Sequence, residues 1–324
     1  MKSMPKTLAL VACIAIGLGG ANSGRAQEYP NKPIRMVIPV APGGITDAIG
    51  RIFAESVSKI IGQQVVVDNR PGGNGSIGAN IVAKASPDGY VICWCHSAPI
   101  VLHHLQQPDI PYDPETDLLP ITRIYDLDLF LAALPSTASS LDEFIKLAKS
   151  KPGELSFGST GVGGALHLGG VLMSNELGIQ LSHVAYPGEA PLINDLLGGR
   201  LPVGILSTAA AIRLSKSGEV ALLTSLSANR TPTLPDVPTL VERGYPDVKV
   251  GTWIGVFAPA KTPEPVARKL IAAFENVLSD ESVKEKLLAA GVTPVNGSVG
   301  QDFKAFLTDE VAKWKGVLTL VPAR

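Results

Sequence analysis

A chain of 324 residues, 45% of them hydrophobic, is long enough for one large or two medium globular domains. A formal net charge of -1 with no basic stripe argues against nucleic acid as a partner. Aromatic residues make up only 5%, while 33 glycines and 26 prolines suit many short elements joined by tight turns.

The N-terminus reads as an export signal. Lys2 and Lys6 form a basic n-region, residues 7–20 are apolar and glycine-rich, and Gly24 and Ala26 precede a cut after Ala26. The apolar run is too short for a comfortable membrane span. "LVAC", ending at Cys13, has the look of a lipoprotein box, but most of the apolar run follows that cysteine, so cleavage after Ala26 is the expectation. Loss of residues 1–26 removes Lys2, Lys6 and Arg25 and takes the net charge to -4. No second hydrophobic span follows, so a soluble protein outside the inner membrane is expected.

The mature chain opens with a β-like run, "IRMVIPV", and the loop "APGGITD". From Asp47, the apolar residues Ile49, Ile52, Phe53, Val57, Ile60 and Ile61 recur at helical spacing until Gly62. "QVVVDN" predicts a strand, residues 77–85 a helix, and "DGYVICWC" a third strand. This alternation predicts an α/β fold with a parallel sheet. After the proline-rich "QQPDIPYDPETDLLP", the run "ITRIYDLDLFLAAL" predicts another strand, and Ser140 with Glu143 a capping box. "LSFGST" leads through "GSTGVGG" into a helix over residues 165–177. Strands follow at "QLSHVAY", "LPVGIL", "VALLTSL" and "VGTWIGVFAPA", with "EAPLINDLLGG" and a short segment after "LPVGIL" as helices. The chain ends in helices over residues 266–278, 282–290 and 303–317.

Three glycine-rich turns invite functional readings. Gly73, Gly75 and Gly78 spell G-x-G-x-x-G, but the next strand ends at "CWCHS" without the acid that a nucleotide ribose requires, and Asp88 precedes that strand. A structural turn is expected there, and no nucleotide. No P-loop and no G-x-S-x-G elbow occurs. "APGGITD" and "GSTGVGG" differ, because each joins a strand to a helix N-terminus, where free N–H groups and the helix dipole favour an anion. One such loop in each half suggests a ligand with two anionic ends; two plain tight turns are the alternative. Cys93 and Cys95 share a strand face, where a mutual disulfide would be strained, so small buried thiols are expected. Cys93, Cys95 and His96 lack a second cluster at metal spacing, and no metal is expected. His103 and His104 are expected to be solvated.

At this point the sequence resembles the substrate-binding proteins of tripartite tricarboxylate transporters, the Bug family. The resemblance is carried by "RMVIPVAPGGITDAIGRIFAE", "GQQVVVDNRPGGNGSIGANIVAKASPDGY", "KPGELSFGSTGVGGALHLGGVLM", "HVAYPGEAPLINDLLGGRLPV" and "RTPTLPDVPTLVERGYP". It runs over about residues 29–314. It implies an α/β, two-domain periplasmic-binding-protein fold (Venus flytrap, type II-like) with a ligand cleft between domains. The implied domains are residues 27–125 with 250–324, and residues 126–249, with crossings near 123–126 and 250–253. The family's "NRPGGNGSIG" element is a structural loop. Carried over by position, the first ligand loop is Pro42, Gly43, Gly44, Ile45, Thr46 and Asp47. The second is Ser159, Thr160, Gly161, Val162, Gly163 and Gly164, with His167 one turn into the helix. Tyr186, Gly188 and Ala190 are placed near the cleft, and Asp195 on the following helix. The chain departs from the family pattern at Cys95, His96 and Ser97, and at "LSTAAAI", which begins at Leu206 and includes Ser207. Both stretches would border the cleft, so His96, Ser97 and Ser207 join the candidate set.

Asp47 has three available roles: capping its own helix, meeting the ligand through water, or pairing with a ligand ammonium. His167 is equally readable as a structural histidine or a ligand contact. Arg51 and Arg70 are read as surface residues. No nucleophile, base and orienter can be assembled, so the expectation is a binding protein, not an enzyme. It would capture a small carboxylate (a di- or tricarboxylate, an acidic amino acid or an aromatic carboxylate) for membrane permease subunits, as a periplasmic monomer without cofactor. The alternatives are a secreted enzyme acting on a small carboxylate, with His96 or His167 as base, and a subunit that presents liganded protein to a sensor.

Overall fold

The computed structural model describes residues 29–107 and 109–321; the predicted signal segment and its cleavage site lie outside them. The chain starts with β1 (Ile34–Ile38), α1 (Ile45–Ile61), β2 (Val65–Asn69), α2 (Ser76–Ala83) and β3 (Val91–His96). β1 pairs in parallel with β2 on one side and β3 on the other. α1 buries Ile49, Phe53 and Val57 on one face and ends at Gly62 in the left-handed conformation. A π-helical turn at Ala98–Leu102 runs into α3 (His103–Gln106), and α4 (Pro114–Asp117) follows.

β4 (Leu118–Ala133) is the long strand that joins two half-sheets. Its first part, to Asp128, pairs antiparallel with β9 (Gly251–Pro259). From Leu129 onward it pairs with β7 (Val203–Ser207) and β8 (Ala221–Ser225). Between these come α5 (Leu141–Ser150), β5 (Ser156–Thr160), α6 (Ala165–Glu176), β6 (Ser182–Tyr186), α7 (Glu189–Leu197) and α8 (Thr208–Lys216). β5 pairs in parallel with β6 and β7. After β9 come α9 (Glu264–Ser279), α10 (Glu281–Ala289), β10 (Thr293–Pro294) and α11 (Gly300–Leu318), with β10 pairing to β4. The resulting order is β2-β1-β3-β9-β4-β7-β5-β6.

The expected parallel sheet is therefore corrected to a mixed one. It is parallel within each βαβ half, where helical crossovers return each strand in the same direction. It is antiparallel at the centre, where β9 brings the chain back beside β3 and β4. One apolar core gathers Phe53, Trp94, Tyr125 and Phe274 under α1 and α9, and a smaller one sits beneath α7 and α8. A third runs without a break from Val37 and Phe257 through Leu131 to Phe157 and Leu168. The Ser140 hydroxyl accepts the Glu143 N–H at 3.2 Å, as the capping box requires; Glu143 reaches back one residue further than the usual box, to the N–H and hydroxyl of Ser139.

Two further expectations are corrected. Cys93 and Cys95 are fully buried, as small apolar side chains would be, but they are joined by a disulfide. Their Cα atoms stand 5.3 Å apart, closer than the ~6.6 Å of two steps along a straight strand. That contraction brings two same-face sulfurs into bonding range. His103 is not solvated: it is buried on α3, with Nε2 2.9 Å from Gln107 Oε1. The proline-rich passage hides this helix from sequence periodicity.

The G-x-G-x-x-G spacing of Gly73, Gly75 and Gly78 has a packing cause. Gly75 has φ +93°, and a Cβ there would meet His96 Nε2 and Pro99 Cγ at 3.0 Å each. The turn is glycine-rich because β3 and the π-helical turn close against it, a packing role.

Candidate functional site

The two strand-to-helix turns share one geometry. Between β1 and α1, Gly44 is the N-cap with φ -82° and ψ 172°; between β5 and α6, Gly164 is the N-cap with φ -80° and ψ 171°. The residue before each is a glycine in the left-handed region, Gly43 at φ +92° and Gly163 at +79°. In both turns the side chain three residues into the helix accepts the N–H of that glycine. Gly43 N–H donates to Asp47 Oδ2 at 2.9 Å, and Gly163 N–H donates to His167 Nδ1 at 3.1 Å. Each helix thus starts with first-turn N–H groups lacking intrahelical partners, the arrangement that receives anions.

The positive φ assigns the conformational demand to Gly43 rather than Gly44. A Cβ at Gly44 meets nothing within 4 Å, and its backbone is ordinary. Gly43→Ala is expected to cost roughly 1–2 kcal/mol, the penalty of a Cβ in left-handed backbone. Gly44→Ala should stay within about 0.5 kcal/mol of wild type. Urea unfolding of the two variants checks this; equal destabilisation would contradict it.

Asp47 is buried and fully engaged. Besides Gly43 it accepts from Arg51 Nε at 3.1 Å and from Asn69 Nδ2 at 2.9 Å. The Arg51 hydrogen bond is the chief cause that holds its carboxyl down at about 2, with the Gly43 and Asn69 contacts adding to it. Of its three available roles, the geometry displays the capping one, exercised from the third helical position. Arg51 also binds Asn69, and Arg70 pairs with Asp68.

A cavity of about 1120 Å³ opens between the half-sheets. One wall comes from the second half: Thr160 to Leu168, His183 and Ala185. The other comes from the first: Asn74, His96 to Ala98, and α3, with Thr252 at the crossing. Of the sequence-predicted residues, His96, Ser97, Thr160, Gly161, Val162, Gly163, Gly164 and His167 line it. Ser159 lies just behind, its hydroxyl 2.7 Å from His183 Nε2. Pro42, Gly43, Gly44, Ile45, Thr46 and Asp47 do not line this cavity; Pro42 to Gly44 are exposed. Tyr186, Gly188, Ala190, Asp195 and Ser207 also stand outside its lining. Tyr186 O–H donates to Asp195, which Arg200 also holds, and Ser207 donates to Glu189 through its N–H and hydroxyl.

Among the described residues, the lining contains no Asp, Glu, Lys or Arg. It does contain four of the chain's five histidines: His96, His103, His167 and His183. Burial pushes His96 down to about 4, and its Nδ1 accepts the Ala98 N–H at 3.3 Å. Ser97 Oγ lies 2.9 Å from Thr252 Oγ1, tying the end of β3 to β9. Gln106 crosses the cavity mouth, its Nε2 donating to the Gly163 carbonyl at 2.8 Å and to Leu102 at 3.0 Å. Sequence reasoning missed His183 and Gln106. Strand register was the available signal for His183, since β5 and β6 pair Phe157 with His183 beneath the α6 face that carries His167. Gln106 carried none. Among the described residues, no group of three or more His, Cys, Asp or Glu side chains is arranged to hold a metal.

Comparison with known proteins places this geometry in context. The family described as tripartite tricarboxylate transporter family receptor matches residues 49–321. The chain is 34% identical over 318 residues to protein BugT of Bordetella pertussis, covering 98% of this chain and 97% of that protein. Among solved structures, Rpa4515 of R. palustris with adipate superposes with a TM-score of 0.79 at 31% identity, covering 90% of this chain and 98% of that one. MatC from Rhodopseudomonas palustris, with bound malate, gives a TM-score of 0.75 at 27% identity over 89% of this chain and 99% of that one.

Proposed function

This chain belongs to the tripartite tricarboxylate transporter receptor family, and we propose that it captures a small carboxylate in the cavity between its half-sheets and hands it to membrane permease subunits. The observation that carries the reading is the Thr160–Gly164 turn. It opens α6 toward a cavity in which no described residue supplies a side-chain carboxylate to repel an anion. The carboxylates in two related structures, adipate and malate, support the ligand class.

In this reading the lobes are residues 27–125 with 250–324, and residues 126–249, and they rotate about the two central strands. β4 changes partners between Asp128 and Leu129, which supports a hinge at that point. Closure would carry the matching Gly43–Asp47 turn toward the ligand from the opposite side. The protein works in the periplasm as a monomer, exported and cleaved after Ala26. Among the described residues no helix is long and apolar enough to cross a membrane.

One contact speaks for the enzymatic alternative: Ser159 Oγ and His183 Nε2 have the spacing of a nucleophile and its base. The serine is fully buried, however, and among the described residues no carboxylate is hydrogen-bonded to His183. Both features support the binding reading over the enzymatic one. The test is a thermal-shift and calorimetric panel of adipate, malate, citrate, glutamate and benzoate, with product analysis of each mixture. Saturable one-to-one binding of a panel member without turnover is expected. Turnover, or no binding across the panel, would overturn the reading.

A further inference from the structure

We propose that His183 is the titratable counter-charge of this cavity, taking up a proton when a carboxylate binds, while His167 stays neutral as a positioning residue. The inference rests on the carboxylate-binding reading and deepens it.

The geometry separates the two histidines. Their ring centroids lie 4.1 Å apart. His167 Nδ1 accepts the Gly163 N–H, so its neutral form carries its proton on Nε2. A second proton on His167 would place two donors face to face and break the turn that shapes the anion site. His183 carries no such restriction, because Ser159 Oγ both accepts and donates. The ring of Phe157, 5.0 Å from His183, gives it an apolar backing.

The acidic side chains on α7 are already engaged. Among the described residues, the cavity lining supplies no Lys or Arg. On β5 the neighbours are Phe157 and Ser159, and on α6 His167. Across the cavity stand His96 and His103. On α7, Asp195 is held by Tyr186 and Arg200, and Glu189 by Ser207. Burial first, and then the positive charge that His167 would gain at acid pH, push His183 down to about 4 without ligand, so it is neutral near pH 7. An anion placed beside it favours the charged form and raises that value. Between the free and bound values, affinity falls by up to about tenfold for each unit of rising pH.

The experiment titrates the tightest binder among adipate, malate, citrate, glutamate and benzoate into the protein. It is run at pH 5.5 and 7.5, each in two buffers of different ionisation enthalpy. Wild type should bind more tightly at pH 5.5, with an apparent enthalpy that changes with buffer as proton uptake requires. His183→Gln should still bind at pH 7.5 but lose most of the pH and buffer dependence. A pH-independent Kd with a buffer-independent enthalpy in wild type overturns the proposal, whether or not the variant folds. Wild-type pH dependence retained in His183→Gln assigns the proton elsewhere and also overturns it. No binding by any panel member at either pH overturns the carboxylate reading itself, a different result from pH-independent binding.

Discussion

Gly163→Val is expected to weaken carboxylate binding by roughly a hundredfold or more, the loss of two charge-assisted hydrogen bonds, while the protein still folds. Three effects converge on this position. The backbone is at φ +79°, which a β-branched residue almost never adopts. A Cβ there would run into Gln106 Oε1, with Gln106 Cδ at 3.2 Å and Nε2 at 3.3 Å. Gly163 is also bonded at both ends, its N–H to His167 and its carbonyl to Gln106. Valine therefore re-aims the turn, detaches His167 and expels Gln106 together. The site lies at a cavity edge, so the core stays intact. Calorimetry with the tightest panel carboxylate checks it, with exposed Lys146→Ala as the control. Wild-type affinity in folded Gly163→Val would contradict it.

Glu310→Ala is expected to cost about 3–5 kcal/mol, the range for removing one partner of a buried charge cluster. Glu310 sits on the buried stripe of α11, with Phe303, Trp314 and Val317. One oxygen, Oε2, accepts the indole N–H of Trp253 and that of Trp314, each at 3.1 Å, and the other carboxylate oxygen pairs with Lys313. Trp253 lies on β9 at the crossing, so this carboxylate pins the C-terminal helix to the central strands. Truncation orphans two buried indole N–H donors and takes the carboxylate from Lys313, which keeps the Lys249 carbonyl. The melting temperature should fall by about 5–8 °C for a chain of this size. Glu310→Gln keeps an acceptor for the indoles and should lose less. Scanning calorimetry of both variants decides, and a shift below about 2 °C for Glu310→Ala, about 1 kcal/mol at this size, would contradict the account.

Glu310 also marks how far the sequence could be read. The α11 helix was legible from its apolar spacing; that an acid on its buried face would serve two tryptophans was not, since one of them lies 57 positions away. The βαβ halves, the capping of α5 and both glycine turns followed from local rules, because periodicity and caps act within a few residues. The antiparallel centre did not. The run in β4 reads as one strand, and nothing in its alternation tells that partners change after Asp128. His183 went unnoticed for a similar reason: it matters only through its register against Phe157 and the approach of His167 from α6. The Cys93–Cys95 bond required a contraction of β3 that straight-strand geometry does not contain. The family resemblance named the Thr160–Gly164 loop before its geometry was known. The distinction between Gly43 and Gly44 required the dihedral angles.

The central claim is that an anion is held at the N-terminus of α6. A crystal structure of the mature protein with its tightest panel carboxylate tests it most directly. The expected result is a carboxylate oxygen within hydrogen-bond distance of the backbone N–H groups in the Thr160–Ala165 turn, with the Gly43–Asp47 turn drawn in from the other half. A carboxylate bound away from both turns, or in contact with neither helix N-terminus, would contradict the account.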